Sequence, residues 1–369
     1  MSVPLTVLHV EAGRHLYGGA LQVVYLLRGL RAEGVRNILV CPEGSAVAAA
    51  ARETGAEVVE TPMGGDADLG LVFRLRRIMH RESPDLVHLH SRRGADLWGG
   101  IAARLAGVPV ILTRRVDNPE PRVWVGLKYR LYHRVVSISE GIRRVLINEG
   151  LPPARVTCVH SAVDTERYRP GCADRALFGH ELGLAGEGPV LAVIAQLIAR
   201  KGHRYLLEAL PGILDAVPGV RVVFFGRGPL EAELRTEVER AGLTEQVHFA
   251  GFRDDLERLL PCLDLVVHPA EMEGLGVSLL QAAACGVPIV AFPAGGIPEI
   301  VREGENGCLL PVGDVPGLQS RIIELLRDPA RAHTMGQRGR ELVEREFSID
   351  SMVRGNLAVY RELISSKTV

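Results

Sequence analysis

No two cysteines in this 369-residue chain are spaced as C-x-x-C. The six, Cys41, Cys158, Cys172, Cys262, Cys285 and Cys308, are scattered. Scattering argues against a zinc site and against a disulfide framework, and for small buried hydrophobes in a reducing cytoplasm. No window holds about 18 consecutive apolar residues, so no membrane-spanning helix is expected. The opening "MSVPLTVLHVEAG" has neither a basic leading region nor a small-residue cleavage site, and reads as a buried strand rather than a secretion signal. Net charge is close to zero, at −1, which is too weak for a nucleic-acid-binding protein. The halves differ, however. Residues 1–165 carry 21 Lys+Arg against 16 Asp+Glu, and the remainder 22 against 28. The basic first half can meet an anionic partner. P-loop, H-E-x-x-H and Ser-His-Asp patterns are all missing.

What is present is a rhythm of short β-rich runs alternating with helix-like segments. The first half holds "PLTVLHV", "RNILVC", "AEVVET", "DLVHLH", "VPVILT", "RVVSIS" and "RVTCVH"; the second holds "GPVLAVIA", "VRVVFFG", "QVHFAG", "DLVVHP", "VPIVAF" and "GCLLPV". Several are apolar on both pleat faces, as strands covered by helices on both sides must be. Strand-helix-strand repetition means parallel sheets, and two such series mean two doubly wound α/β domains. The segment Asp164 to Pro189, rich in Gly, Pro and charge, interrupts the rhythm and marks the break. Near the end, Val353, Leu357, Tyr360 and Ile364 recur at helical spacing, after a "FSIDS" that offers N-caps. That helix is free to pack on either domain.

Doubly wound sheets bind ligands at the carboxyl ends of their strands. After "DLVVHP" comes "AEMEGLGVSLLQAAACG". Gly274 and Gly276 permit close backbone approach, and a helix starting near Gly276 aims free N–H groups at an anion, most simply a phosphate. Glu273 is repelled by that phosphate and suits a neighbouring hydroxyl. The Gln281 amide suits a diol. After "GPVLAVIA", Arg200 and Lys201 precede a glycine. Only three of 43 basic residues are lysines, Lys128, Lys201 and Lys367, so Lys201 stands out as a compact charge for a phosphate. In the first half, Gly18 and Gly19 separate the first strand from an apolar helix, a second phosphate-compatible loop. His90 ends its strand, whereas the mid-strand His88 fits a hydrogen-bonded core histidine. Arg92, Arg93, Arg114, Arg115 and Arg122 follow neighbouring strand ends, where four of them can converge on one anionic group. Asp66 and Asp68 form a D-x-D without supporting ligands, so no metal is assigned. "GRGPLEAEL" lacks the third glycine and later acid of a nicotinamide fingerprint.

The long stretch "VHFAGFRDDLERLLPCLDLVVHPAEMEGLGVSLLQAAACGVPIVAFPAGGIPEIVREGENGCLLPVGD" resembles the retaining glycosyltransferases of family 4, and the similarity extends over nearly the whole chain. The resemblance implies the GT-B fold, two Rossmann-like domains facing a cleft. Residues 1–165 become an acceptor-binding domain, 166–347 a donor-binding domain, and 348–369 a helix that can cross back to the first. It implies transfer of a sugar from a UDP-, GDP- or ADP-linked donor to an anionic glycan or glycolipid of the cell envelope, lipopolysaccharide included. Neither metal nor further cofactor is implied. His90, Glu273 and Lys201 become the catalytic group. Gly18, Gly19, Arg200, Lys201, Gly274, Leu275, Gly276, Val277 and Gln281 become donor contacts, and the five arginines acceptor contacts. Two positions depart from the family pattern. Gln281 stands where a second glutamate binds ribose, and Gln196 where an arginine joins the lysine on the diphosphate, with Arg200 as the compensating charge. "HSAVD" also replaces an Asn-Gly at Ser161 and Ala162. The expected location is cytoplasmic, with peripheral contact at the inner face of the membrane. The other readings are an epimerase or hydrolase of the same fold, and a catalytically silent subunit that binds nucleotide sugars.

Overall fold

The computed structural model describes residues 5–92, 94–172, 174–184 and 188–365. Each β-rich run forms a strand. The first series is β1 (Thr6–Val10), β2 (Arg36–Cys41), β3 (Glu57–Glu60), β4 (Leu86–Leu89), β5 (Val110–Arg114), β6 (Arg134–Ser137) and β7 (Val156–Cys158). The second is β8 (Val190–Ile194), β9 (Arg221–Phe225), β10 (Val247–Gly251), β11 (Leu265–His268), β12 (Ile289–Ala291) and β13 (Gly307–Leu309). All pairings between these strands are parallel. The central strands are buried on both faces, which explains why they read as continuous apolar runs.

The sheets run in the orders β3-β2-β1-β4-β5-β6-β7 and β10-β9-β8-β11-β12-β13. Each reverses direction once, between β1 and β4 and between β8 and β11. At such a switch point the connections leave to opposite sides and open a crevice beyond the strand ends. The polar residues that follow β1, β4, β8 and β11 therefore bear most directly on function.

Two compact units result: one runs to Ala162 and resumes at Ile349, and the other is Val163–Ser348. The boundary falls at Ala162 rather than residue 165, because the second unit holds both of its own ends. Val163 N donates to Phe347 O at 3.0 Å, and Val163 bridges Ser348 in parallel. The last helix, Ile349–Ser365, joins the first unit. Its Met352, Val353, Leu357, Tyr360 and Leu363 share a core with Tyr25, Leu26 and Leu30 of the Gly18–Ala32 helix and with Val7, Leu86 and Ile111 of the sheet. Gly29 permits the close approach, since a Cβ there would lie 2.4 Å from Val353 Cγ2.

The cysteine expectation needs correction. Cys172 and Cys262 form a disulfide across 90 residues, with Cα atoms 4.8 Å apart. The turn near Gly171 folds back over the short helical turn Leu260–Cys262, a proximity that sequence spacing does not display. Cys41, Cys285 and Cys308 are buried as expected, and Cys158 is half-buried. No helix among the described residues is long and apolar enough to cross a membrane.

Candidate active site

In the second unit the loops after β8, β11 and β12 are locked backbone to backbone. Gly202 has φ +71°, and a Cβ there would lie 1.9 Å from Pro269 O. Gly295 has φ +55°, and its Cβ would overlap Glu273 O at 1.6 Å. Only glycine meets both demands. Glu271 N donates to Arg200 O at 2.9 Å, and the Tyr205 hydroxyl donates to Glu271 Oε1 at 2.6 Å. This frame brings the two residues singled out in sequence together: Lys201 Nζ lies 2.5 Å from Glu273 Oε2.

His268 Nε2, at the end of β11, lies 3.1 Å from the same oxygen, and Glu273 Oε1 accepts from Gly274 N at 3.1 Å. Burial by itself would raise the Glu273 carboxyl. The His268 hydrogen bond and the Lys201 charge outweigh it and hold the group at about 2. Glu273 is thus a fixed anion throughout the physiological range. Just beyond it the Val277–Ala284 helix begins, with Gly276 at φ +96° as its N-cap and no side chain capping it. Its first amides carry the positive end of the helix dipole. A cation, a helix start and a carboxylate that accepts hydrogen bonds therefore stand together at the switch point.

Leu275 is buried and Arg200 partly so, whereas Gln196 is exposed. Gln281 differs from its expected role. Its Nε2 donates to the Tyr168 hydroxyl at 2.9 Å, so the amide expected to meet a ribose diol is tied to the segment entering this unit.

In the first unit, Gly18 and Gly19 open the Gly18–Ala32 helix as expected. Gly18 has φ +34° with open space around it, and a Cβ on Gly19 would lie 3.0 Å from Arg115 Cδ. At the end of β1, buried Glu11 accepts from Gly13 N at 2.7 Å, and Ala12 N donates to Ser91 Oγ at 2.7 Å. Burial pushes the Glu11 carboxyl up, opposed by the Gly13 amide and the Arg115 charge. Burial also pushes Arg115 down to about 10, opposed by Glu11. His90 is 2% exposed and His88 fully buried. His88 Nδ1 lies 2.6 Å from the Tyr360 hydroxyl and its Nε2 2.6 Å from Thr113 Oγ1, the bonded core histidine expected.

The arginines do not converge on one anion. Arg114 is buried and bound within the protein, to Val116 O at 2.8 Å, to the Tyr129 hydroxyl at 3.0 Å, to Asn118 O, and to Glu120 at 2.9 Å. Glu120 also takes Arg92 at 2.6 Å and Lys128 at 3.2 Å, and Lys128 pairs with Asp96 at 2.6 Å. A single buried carboxylate has taken up Arg92 and Arg114, two of the cations expected to meet a ligand. Removing it would leave the buried Arg114 without a carboxylate partner, a change that commonly costs about 3–5 kcal/mol. Arg122 is exposed and donates to Asn148 O at 3.2 Å. Among the described residues of this set, Arg115 alone stays beside the glycine loop. Arg93 lies outside the described residues. Asp68 of the D-x-D is held by Arg74 at 2.5 Å and Gly64 N at 2.8 Å.

Sequence reasoning passed over Glu11, His9, Asn37, Ser91 and His268. The available signal was a polar residue inside an otherwise apolar strand, as in "TVLHV" and "LVVH".

Two Rossmann-like sheets in one chain, each with its polar residues gathered at the switch point, make up the GT-B architecture of glycosyltransferases. The structure of Anabaena Alr3699/HepE in complex with UDP-glucose superposes with a TM-score of 0.82 at 22% identity, covering 98% of this chain and all of that one. At that identity the likeness establishes the fold. The chain belongs to the glycosyltransferases: residues 17–167 match Glycosyltransferase Family 4, and residues 175–342 match Glycosyl transferases group 1. Among relatives, the N-acetyl-alpha-D-glucosaminyl L-malate synthase of Bacillus anthracis is 25% identical over 80% of each chain. The D-inositol 3-phosphate glycosyltransferase of Mycobacterium marinum is 32% identical over 77% of this chain and 65% of its own.

Proposed function

We propose that the protein transfers a sugar, with retention of anomeric configuration, from a nucleotide-diphosphate sugar to a glycan or glycolipid acceptor, and that it needs no metal. The observation that carries this reading is the Lys201–Glu273 pair beside the Gly276 helix start. As the glycosidic bond breaks, negative charge grows on the departing diphosphate. In this reading Lys201 and the first amides of the helix receive it. Glu273, ionised and fixed, accepts hydrogen bonds from sugar hydroxyls. Arg200 serves as a second cation where Gln196 carries no charge. The UDP-glucose held by the Anabaena structure supports a nucleotide-sugar donor here. The test is a melting-temperature screen with UDP, GDP, ADP and their sugars, followed by transfer assays with envelope acceptors. One nucleotide should raise the melting temperature by tight binding to the native state. No shift with any of them sinks the reading, and binding without transfer would turn it into the silent subunit.

The acceptor side is assigned to the first unit, with Arg115 and Arg122 as its anion contacts. The Arg122–Lys128 helix turns Val123 (89% exposed), Trp124 (41%) and Leu127 (62%) outward. Exposed apolar residues beside Arg122 suit an anionic membrane surface where glycolipid acceptors reside. The protein should therefore co-sediment with vesicles containing phosphatidylglycerol, and Trp124→Ser should weaken this several-fold. Equal binding to neutral vesicles would count against the electrostatic part.

A further inference from the structure

Beneath the switch point of the first sheet runs a chain of hydrogen bonds that the reading above leaves unused. Asn37 Nδ2 donates to Val35 O at 3.1 Å and Leu27 O at 3.4 Å. Its Oδ1 therefore faces the other way, 3.2 Å from His9 Nε2. An amide oxygen can only accept, so His9 carries its proton on Nε2. Burial lowers His9 to about 4, which leaves the ring neutral at neutral pH with a lone pair on Nδ1. That nitrogen lies 2.9 Å from His90 Nε2. The rings are inclined by 13° with centroids 5.2 Å apart, the edge-to-edge placement of an in-plane N–H···N bond. His90 Nε2 must be the donor. Burial, with the nearby His88, His9 and Arg115 charges, also keeps His90 well below its usual range. Neutral His90 then has its lone pair on Nδ1, which is buried and has no partner among the described residues. His88 packs against the His90 ring, with centroids 3.9 Å apart, and is itself fixed by Tyr360 and Thr113.

We propose that Asn37 and His9 are positioning residues that lock His90 in its Nε2–H tautomer, so that Nδ1 is a hydrogen-bond acceptor kept for a substrate hydroxyl. The tautomer of an imidazole is set by what its other nitrogen touches, and here three residues transmit that setting from two backbone carbonyls. An unpaired buried acceptor is costly, and a hydroxyl from a sugar supplies the missing donor. The polarity is definite: His90 receives a hydrogen bond and does not give one to a departing phosphate oxygen. That the hydroxyl belongs to a sugar rests on the transferase reading. A metal would use the same imidazoles, since His9, His88 and His90 bring nitrogens within 4.8 Å of one another. The hydrogen bonds oppose it, because both nitrogens of His88 and both of His9 already have partners.

The experiment is a long-range proton–nitrogen spectrum of the full chain labelled with ¹⁵N-histidine, at neutral pH, with His90 assigned by its loss in His90→Gln. The expected result is His9 and His90 both protonated on Nε2. His9→Asn, which keeps an amide oxygen near the old Nδ1, should preserve the His90 tautomer. His9→Phe, which removes the acceptor, should move the His90 signals toward a tautomer average. Whichever of UDP-glucose, UDP-N-acetylglucosamine and GDP-mannose raises the melting temperature should shift His90 Nδ1, and its nucleotide alone should not. A His90 proton on Nδ1, stoichiometric Zn²⁺ binding to the three rings, or a bound sugar nucleotide that leaves Nδ1 unmoved would each overturn the proposal. If none of the three sugars binds, the transferase assignment loses support, while the tautomer still decides the role of Asn37 and His9.

Discussion

Lys201→Ala should lower sugar transfer by about 10²- to 10³-fold, the usual effect of removing one preorganised donor to developing transition-state charge. Lys201 is mostly buried against Glu273, so the variant also leaves a carboxylate with His268 as its main partner. A melting curve must accompany the kinetics to separate lost chemistry from lost structure. The loss should fall mainly on kcat, because the diphosphate gains charge only as the bond breaks. Lys201→Arg should not restore the rate, since a planar fork does not reproduce a compact ammonium held 2.5 Å from one oxygen. A well-folded Lys201→Ala protein with undiminished transfer would remove the lysine from the mechanism.

The second large effect concerns acid. Four histidines are buried and held neutral by desolvation: His9 and His203 at about 4, His88 and His90 well below their ordinary value. In the unfolded chain each takes a proton below about pH 6.5, while in the folded chain burial keeps it neutral further down, to about 4 for His9 and His203. The unfolded state therefore binds more protons in this window, and stability falls as pH falls, by about 1.4 kcal/mol per pH unit for each histidine. His9, His88 and His90 belong to the first unit, and His203 to the second, together with the partly buried His248, which burial also lowers. Glu11, raised by burial, acts in the opposite sense above about pH 4.5 but is one group against three. Glu273 contributes its stability above about pH 4.5 and loses it only as pH falls toward about 2. Thermal unfolding followed between pH 7 and 5 should thus separate into two transitions, the first unit's falling faster. Transitions that move together, or the second unit's moving faster, would contradict the burial argument.

All thirteen strands were legible in the sequence because the central ones, buried on both faces, must be apolar almost without interruption, and turn residues punctuate them all. The gathering of Lys201, Glu273 and Gly276 at one switch point was legible too, because the loops after parallel strands meet there. The fate of Arg114 was not legible. Whether a strand-end arginine meets a ligand or an internal acid depends on Glu120, six residues later in an irregular loop, folding back onto it. The Cys172–Cys262 pairing was hidden for the same reason, as was the Tyr168 hydroxyl that occupies Gln281. The Asn37–His9–His90 chain joins three separate strands or strand ends, so it emerges only once the order β2-β1-β4 is known.

The Ile349–Ser365 helix completes the first unit's core only after the whole of the second unit has been translated. During synthesis the Val163–Ser348 body is contiguous and can consolidate as it leaves the ribosome. The earlier body must wait with Val7, Leu26 and Ile111 partly uncovered until its last helix arrives. The half made first is thus finished last, and the interval in which it is open to aggregation or to chaperone capture is set by the time needed to make its neighbour.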